Sequence, residues 1–280
     1  MTEIKTIWRE ITPELAKELL SRNSINRKLN DNLVNYYAIQ MKKGQWKITG
    51  QGITIDRDGG LQDGQHRLAA IVKSGIPINF LMIYGLPVDS FVAYDRGKKR
   101  SISDVFHLKN IPNNVNVSAS IRNYLTRKTT GQAMLFSSTE SGGGFGSGVF
   151  ITDEDILNEY EKNPELWQDL FRDVKSCYCN YRIFTMAVLS GISAYLILEK
   201  EYSKDKVISF MRQLHALDPD EVITTKLLRD TLIRDKMSVR RIDVITRGAF
   251  LHKTWNAFIK GKNLKILKYD KLNEAFPELK

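Results

Sequence analysis

The order of apolar and polar positions predicts two textures along the chain. Thr12-Pro13-Glu14 opens a helix, with Thr12 suited to cap it and Pro13 suited to its first turn. That helix runs to about Ser21, and the segment Asn23 to Asn30 is polar and basic. Asp31 starts a second helix whose apolar face is Leu33, Tyr36, Tyr37, Ile39 and Met41, ended by Gly44. Ile53-Thr54-Ile55 reads as a short β-branched strand, Asp58-Gly59-Gly60 as a turn, and Leu61 as the start of a return strand. A helix follows from about Gln65 to Ser74, stopped by Gly75, and Ile78 to Tyr84 reads as a buried strand. Phe91-Val92-Ala93-Tyr94 is a further short strand by pattern.

Beyond this point strands fade. Ser101 and Asp104 form a capping-box pattern ahead of a helix, and Val115 to Arg127 predicts another. Residues 129–150 are dominated by Ser137 to Gly148, a Gly/Ser-rich run that reads as a flexible connector. No Gly-Lys-Ser/Thr ending follows it, so it is not a P-loop. Thr152 caps a helix with Asp153, Glu154 and Asp155 in its first turn, and Asn163-Pro164 opens the next. Helical segments near 181–200, 203–216, 224–235 and 238–260 complete the chain, with no repeat. The organisation is therefore a mixed domain over 1–110, a helix and Gly/Ser-rich loop over 111–150, and a helical domain over 151–280. The fold class is α+β, with an all-helical C-terminal domain.

Composition adds limits. Of 280 residues, 42% are apolar and 26% charged, which excludes fibrous and wholly disordered chains. The net charge of +10 is consistent with a polyanionic partner, although many basic proteins bind nothing charged. Cys177 and Cys179 stand too close for an unstrained disulfide and too alone for a metal site, so they read as reduced packing thiols. The N-terminus carries Glu3, Lys5, Arg9 and Glu10 before any apolar run, and Ile183 to Leu198 is too short for a bilayer. A cytoplasmic protein with no membrane partner is expected.

The stretch that carries chemistry is Asp63-Gly64-Gln65-His66-Arg67, where a hairpin delivers polar residues onto a helix N-terminus. Helix N-termini favour anions through their unpaired N–H groups and dipole. Gly64 lets backbone approach a ligand closely, and Arg67 can grip phosphate with two parallel hydrogen bonds. Asp63 stands where it can cap the helix or help hold a metal. The plainer reading is that Asp63 only caps and Arg67 makes a surface ion pair. Asn26-Arg27 lies upstream in the polar loop, and Asp95-Arg96-Gly97-Lys98-Lys99-Arg100 follows a strand edge. Lys98, Lys99 and Arg100 read either as a phosphate or nucleic-acid contact or as a solvated turn. Arg240, Arg241, Arg247, Lys253, Lys260, Lys262, Lys265 and Lys268 read either as a nucleic-acid face or as a solvated amphipathic helix. Trp255 reads as core, and His215 and His252 receive no chemistry.

The pattern strand–turn–strand–Asp-Gly-Gln-His-Arg–helix resembles the ParB/sulfiredoxin superfamily over roughly residues 10–105. In ParB proteins the equivalent stretch is Gly-Glu-Arg-Arg and grips a nucleoside triphosphate. In sulfiredoxins it is Gly-Cys-His-Arg with a reactive Cys, whose place Gln65 takes here, so sulfiredoxin chemistry is not expected. The Asp-Gly-Gln-His-Arg-Leu motif, Asp95 to Arg100 and Trp255-Asn256 are similar to features of phage-type and mobile-element proteins with a ParB-like nuclease domain. The resemblance implies a ParB/sulfiredoxin-like N-terminal domain that binds a nucleoside triphosphate with Mg²⁺ and acts on or near DNA. Gly64, Gln65, His66, Arg67, Asn26 and Arg27 would hold the nucleotide. Asp63, His66 and Asp95 would be catalytic in a nucleotide hydrolase or phosphotransferase. A metal-dependent nuclease using Asp56, Asp58 and Asp63, and a non-catalytic DNA- or partner-binding protein, are the alternatives. ParB proteins carry a helix-turn-helix domain, whose signature the C-terminal helices lack.

Overall fold

The computed structural model describes residues 3–23, 26, 28–93, 101–131, 150–178, 182–215 and 222–280. Their contacts form two compact units, 1–99 with 138–152, and 100–137 with 153–280. The class is α+β: a four-stranded sheet and, among the described residues, eleven α-helices.

In the first unit β1 (Lys5–Ile11) precedes α1 (Pro13–Ser21) and α2 (Asp31–Lys42). Thr12 Oγ1 accepts Leu15 N–H and caps α1, and Asn30 Oδ1 accepts Leu33 N–H and caps α2. The hairpin β2 (Ile53–Asp56) and β3 (Leu61–Asp63) leads into α3 (Gln65–Ser74), and β4 (Ile78–Leu86) follows. The sheet order is β1-β4-β2-β3. β4 pairs antiparallel with β1 and parallel with β2, and β2 pairs antiparallel with β3. α3 packs against α1 and α2, and its Leu68, Ala70 and Ile71 share one buried core with Ile53, Ile55, Leu61 and Met82 of the sheet. This core holds the start of α3 at the end of β3.

Two elements differ from the pattern reading. β1 is an added strand: six of its seven residues are exposed, so no inward–outward alternation marks it. Residues Val88–Ala93 wind into a 3-10 helix where a short strand was expected. Pro87 fixes the backbone there, and Ser90 N–H closes a turn onto its carbonyl at 3.1 Å. Tyr94 lies outside the described residues.

The second unit contains α4 (Ile102–Leu108), α5 (Asn114–Thr130), α6 (Asp153–Lys162), α7 (Pro164–Cys177), α8 (Met186–Leu198), α9 (Lys204–Leu214), α10 (Ile223–Met237) and α11 (Val244–Ile259). Ser101 and Asp104 form the expected capping box on α4. α8 starts only after the Thr185 cap and α11 only after the Asp243 cap, both later than apolar periodicity alone indicates. α5 and α8 pack closely because Gly191 has no side chain; a Cβ there would meet Asn123 Cβ at 2.7 Å. Trp255 is fully buried in edge contact with Tyr202 and Phe210. Cys177 is a buried free thiol, and Cys179 lies outside the described residues. Among the described residues no helix is long and apolar enough to cross a membrane.

Candidate functional site

The hairpin is set by Asp56. Its Oδ1 accepts Asp58 N–H at 2.9 Å and Gly60 N–H at 2.7 Å, closing the turn between β2 and β3. Asp56 is thereby committed to the turn, and only 7% of it is exposed. Gln62 is anchored in β3, where its Nε2 donates to the carbonyls of Pro87 and Val88, each at 2.8 Å.

Gly64 then turns the chain. Its φ of +108° is a region L side chains avoid, and a Cβ would also lie 3.0 Å from Ile53 Cγ1. Gly64 is the N-cap of α3 and supplies no side-chain cap, while its carbonyl accepts Leu68 N–H at 3.0 Å as the first helical bond. Gly64 therefore brings no side-chain cap of its own to the dipole end of the helix.

Asp63 and Arg67 flank that start. Asp63 Oδ1 accepts Gly64 N–H at 2.6 Å, and its Oδ2 accepts Arg67 Nη2 at 2.7 Å. Arg67 Nη1 donates to the Gln51 carbonyl at 2.5 Å. The ion pair is asymmetric in exposure, 10% for the Arg67 side chain and 36% for that of Asp63. In this state the terminal nitrogens of Arg67 are directed to protein acceptors, and the open side of the pair is the carboxylate.

The polar loop before α2 is sewn to the same segment. Asn23 Nδ2 donates to Gln65 Oε1 at 3.0 Å, and Asn26 Nδ2 donates to the Leu61 carbonyl and to Asn23 Oδ1, each at 2.6 Å. The backbone N–H of Asn30 donates to His66 Nε2 at 3.0 Å. That bond makes Nε2 an acceptor, so neutral His66 carries its proton on Nδ1. Gln65 is buried at 5% exposure, so a polar network sits inside the small core at one helix start.

Asp63, Gly64, Gln65, His66, Arg67 and Asn26 are thus brought together. Arg27, Asp95, Lys98, Lys99 and Arg100 lie outside the described residues. Sequence reasoning missed Asn23, Asn30 and Gln51. The first two carried a signal, the recurrence of Asn in a short polar loop, whereas Gln51 acts through its carbonyl and carried none. Among the described residues no three His, Cys, Asp or Glu side chains gather as a metal site. The spacing of Asp56, Asp58 and Asp63 does not become such a cluster, because Asp56 closes the turn and Asp63 meets Arg67.

No family model matches the chain, and no curated protein matches it. Among solved structures, one described as the Pnob8-like ParB-N domain is similar, at 14% identity over 84% of this chain and 96% of that chain, with a TM-score of 0.20. No residue role and no activity is carried across from it.

Proposed function

We propose that the N-terminal unit binds the phosphate groups of a nucleotide at the start of α3. The observation that carries this reading is a helix start whose N-cap Gly64 brings no side chain, flanked by a buried arginine and a part-exposed carboxylate. Burying Gln65 and Arg67 in so small a core has a desolvation cost, which their hydrogen bonds to Asn23, Gln51 and Asp63 offset. Such a network holds a helix N-terminus rigidly, which is what anion recognition by backbone requires.

The Asp63–Arg67 pair supplies a switch for that binding. An incoming phosphate competes with Asp63 for the Arg67 guanidinium, which grips phosphate as readily as carboxylate. Once displaced, the Asp63 carboxylate is available to Mg²⁺, which takes one or two carboxylates together with phosphate oxygens. Asp63 is the residue here that fits such an ion, and a metal bound there would neutralise phosphate charge. The family resemblance in the sequence points the same way, toward a nucleoside triphosphate.

The test is thermal stabilisation by ATP, CTP, GTP and ADP, each with and without Mg²⁺, for wild type and Asp63→Asn. A ligand at about 100 times its dissociation constant stabilises by roughly 2.7 kcal/mol, a readable melting shift. Asp63→Asn removes the competitor of phosphate and the carboxylate for Mg²⁺. It is expected to bind nucleotide without Mg²⁺ more tightly than wild type and to lose the Mg²⁺ enhancement. Identical responses of the two proteins, or no shift with any nucleotide, would overturn the reading.

A further inference from the structure

The sheet of the first unit ends in an open edge. β1 lies outermost in the order β1-β4-β2-β3 and, among the described residues, pairs with β4 alone. Its seven residues run in unbroken register from Lys5 opposite Tyr84 to Ile11 opposite Ile78, with no bulge. The backbone stays beside β4 past that point: a Cβ on Gly85 would stand 2.9 Å from the Glu3 carbonyl oxygen. Edge strands are usually blunted by proline, by a bulge or by shortness, because their unpaired N–H and C=O groups template another strand. β1 has none of these devices. It also presents three large apolar side chains to solvent, Ile4, Ile7 and Trp8, each more than half exposed.

Directly opposed residues of a sheet share a face, so the pairing with β4 sorts the side chains of β1. Ile7 stands opposite Met82, which is buried in the core with α3, and Lys5 and Arg9 share that face. Ile11 ends the same row fully buried, so the core reaches β1 only at that end. Trp8 stands opposite Leu81 and Thr6 opposite Ile83, on the other face with Ile4. The charges of the strand are of mixed sign, and among the described residues no ion pair joins Glu3, Lys5, Arg9 or Glu10. Mixed, unpaired charges on an edge select a partner by register, where charges of one sign would repel every copy.

The strand is complementary to itself. Two identical antiparallel strands meet about a two-fold axis perpendicular to the sheet, and the axis passes where one residue faces its own copy. Centred on Thr6, the pairing sets Ile4 against Trp8 twice, Thr6 against Thr6, and Glu3 against Arg9 twice, with Ile7 over the Lys5 stem. Aromatic with β-branched, threonine with threonine and opposite charges are the pairs that stabilise a sheet. Centred on Ile7, Lys5 would oppose Arg9 twice, and centred on Trp8, no opposite charges would meet. We propose that β1 pairs with β1 of a second copy of this chain, antiparallel and centred on Thr6, joining two four-stranded sheets into one of eight. A contact made by one strand is small, so the dimer belongs to the weak class, with a dissociation constant on the order of micromolar. β3, which leads into α3, lies at the far edge of the sheet, so the contact goes beyond the nucleotide site and does not use it.

The experiment is sedimentation velocity of the full chain, without nucleotide, from low to high micromolar concentration. Wild type is expected to shift from monomer to dimer over that range. Trp8→Lys removes the aromatic partner of Ile4 and is expected to weaken dimerisation about tenfold or more. Arg9→Glu sets like charges opposite each other at both ends of the pairing and is expected to weaken it about tenfold. Adding Glu3→Arg to Arg9→Glu restores opposite charges and is expected to recover most of that loss, which a misfolded variant could not do. In the Ile7-centred register Arg9→Glu would instead face Lys5 and strengthen the dimer. A wild type that stays monomeric, a dimer indifferent to Trp8→Lys, a stronger dimer in Arg9→Glu, or no recovery in the double reversal would each overturn the proposal. The assay contains no nucleotide, so its failure is separate from failure of nucleotide binding at α3, which rests on other residues.

Discussion

Replacing Gly64 with alanine tests whether the start of α3 is built as argued. Two costs add. A left-handed backbone costs an L residue about 1–2 kcal/mol. A Cβ at Gly64 would also stand 3.0 Å from Ile53 Cγ1 and 3.3 Å from Ile53 Cβ and Cγ2, in a fully buried β-branched residue that cannot swing away. Overpacking of this kind costs roughly 1–3 kcal/mol. Gly64→Ala is therefore expected to destabilise the first unit by about 2–5 kcal/mol. Gly75 is the internal control: it is also left-handed, at φ +73°, but a Cβ there meets nothing within 4 Å. Gly75→Ala should cost only the backbone part, about 1–2 kcal/mol. Native-state hydrogen exchange at the buried amides of α3 and β2 reads the first unit separately from the second. The extra packing cost should speed exchange about fivefold or more in Gly64→Ala beyond Gly75→Ala. Equal protection in the two variants would refute the close packing of Gly64 on Ile53, and with it the claim that this turn requires glycine twice over.

Other expectations concern the polar interior. Arg67→Ala leaves Asp63 and the Gln51 carbonyl without their donor; discounted for the part-exposed carboxylate, this is expected to cost about 1–3 kcal/mol, read by the same exchange measurement. Gly191→Ala places a Cβ 2.9 Å from the Ser120 carbonyl and 2.7 Å from Asn123 Cβ, and should loosen the α5–α8 contact by about 1–3 kcal/mol in urea unfolding. His252 is held well below its ordinary value by burial and by Arg127, opposed by its bond to the Pro277 carbonyl, and His215 is lowered by burial and Arg229. A depressed histidine contributes stability that is complete above its unfolded value of about 6.5 and is lost as pH falls toward its folded value. The melting temperature should therefore fall as pH drops below about 6.5, by up to roughly 1.4 kcal/mol of stability per pH unit for each histidine, and His252→Gln should flatten that profile; a profile flat in wild type would contradict the buried neutral pair.

The parts of the fold legible in sequence are those that local chemistry decides. The Thr12, Ser101 and Asn163 caps, the Gly44 and Gly75 stops and the Asp58-Gly59-Gly60 turn all act within a few residues, and the helices and hairpin they bound are where the pattern puts them. β1 was not legible, because its residues are selected by pairing with β4, far along the chain, and not by an apolar face. Asp63 to Arg67 was legible as a polar stretch delivered onto a helix start. Its wiring was not. That Asp63 holds Arg67, that Asn30 N–H fixes the His66 tautomer and that Asn23 reaches Gln65 across 42 positions are tertiary facts.

Two of the buried arginines, Arg67 and Arg127, show how an interior charge separates into different roles. Arg67 meets a carboxylate and a carbonyl and stands one turn inside a helix start, so a phosphate that replaces the carboxylate keeps its charge balanced. Arg127 is fully buried against His252 Nε2, with its guanidinium 5.9 Å from the Tyr195 ring centroid and, among the described residues, no ion pair to a carboxylate, and burial lowers it to about 10. His252 Nδ1 donates to the Pro277 carbonyl, which leaves Nε2 as the acceptor and keeps the imidazole neutral beside the guanidinium. Arg127 is fully buried, and among the described residues its Nε and Nη2 have no hydrogen-bond partner. By the logic of buried charge, replacing Arg127 with methionine should cost little or raise stability, because an apolar side chain of similar reach removes an uncompensated ion. Replacing Arg67 with methionine should instead destabilise, because Asp63 and Gln51 lose their donor. Urea unfolding of the two variants separates the cases, and a large loss in Arg127→Met would show that the His252 bond outweighs the desolvation of the guanidinium.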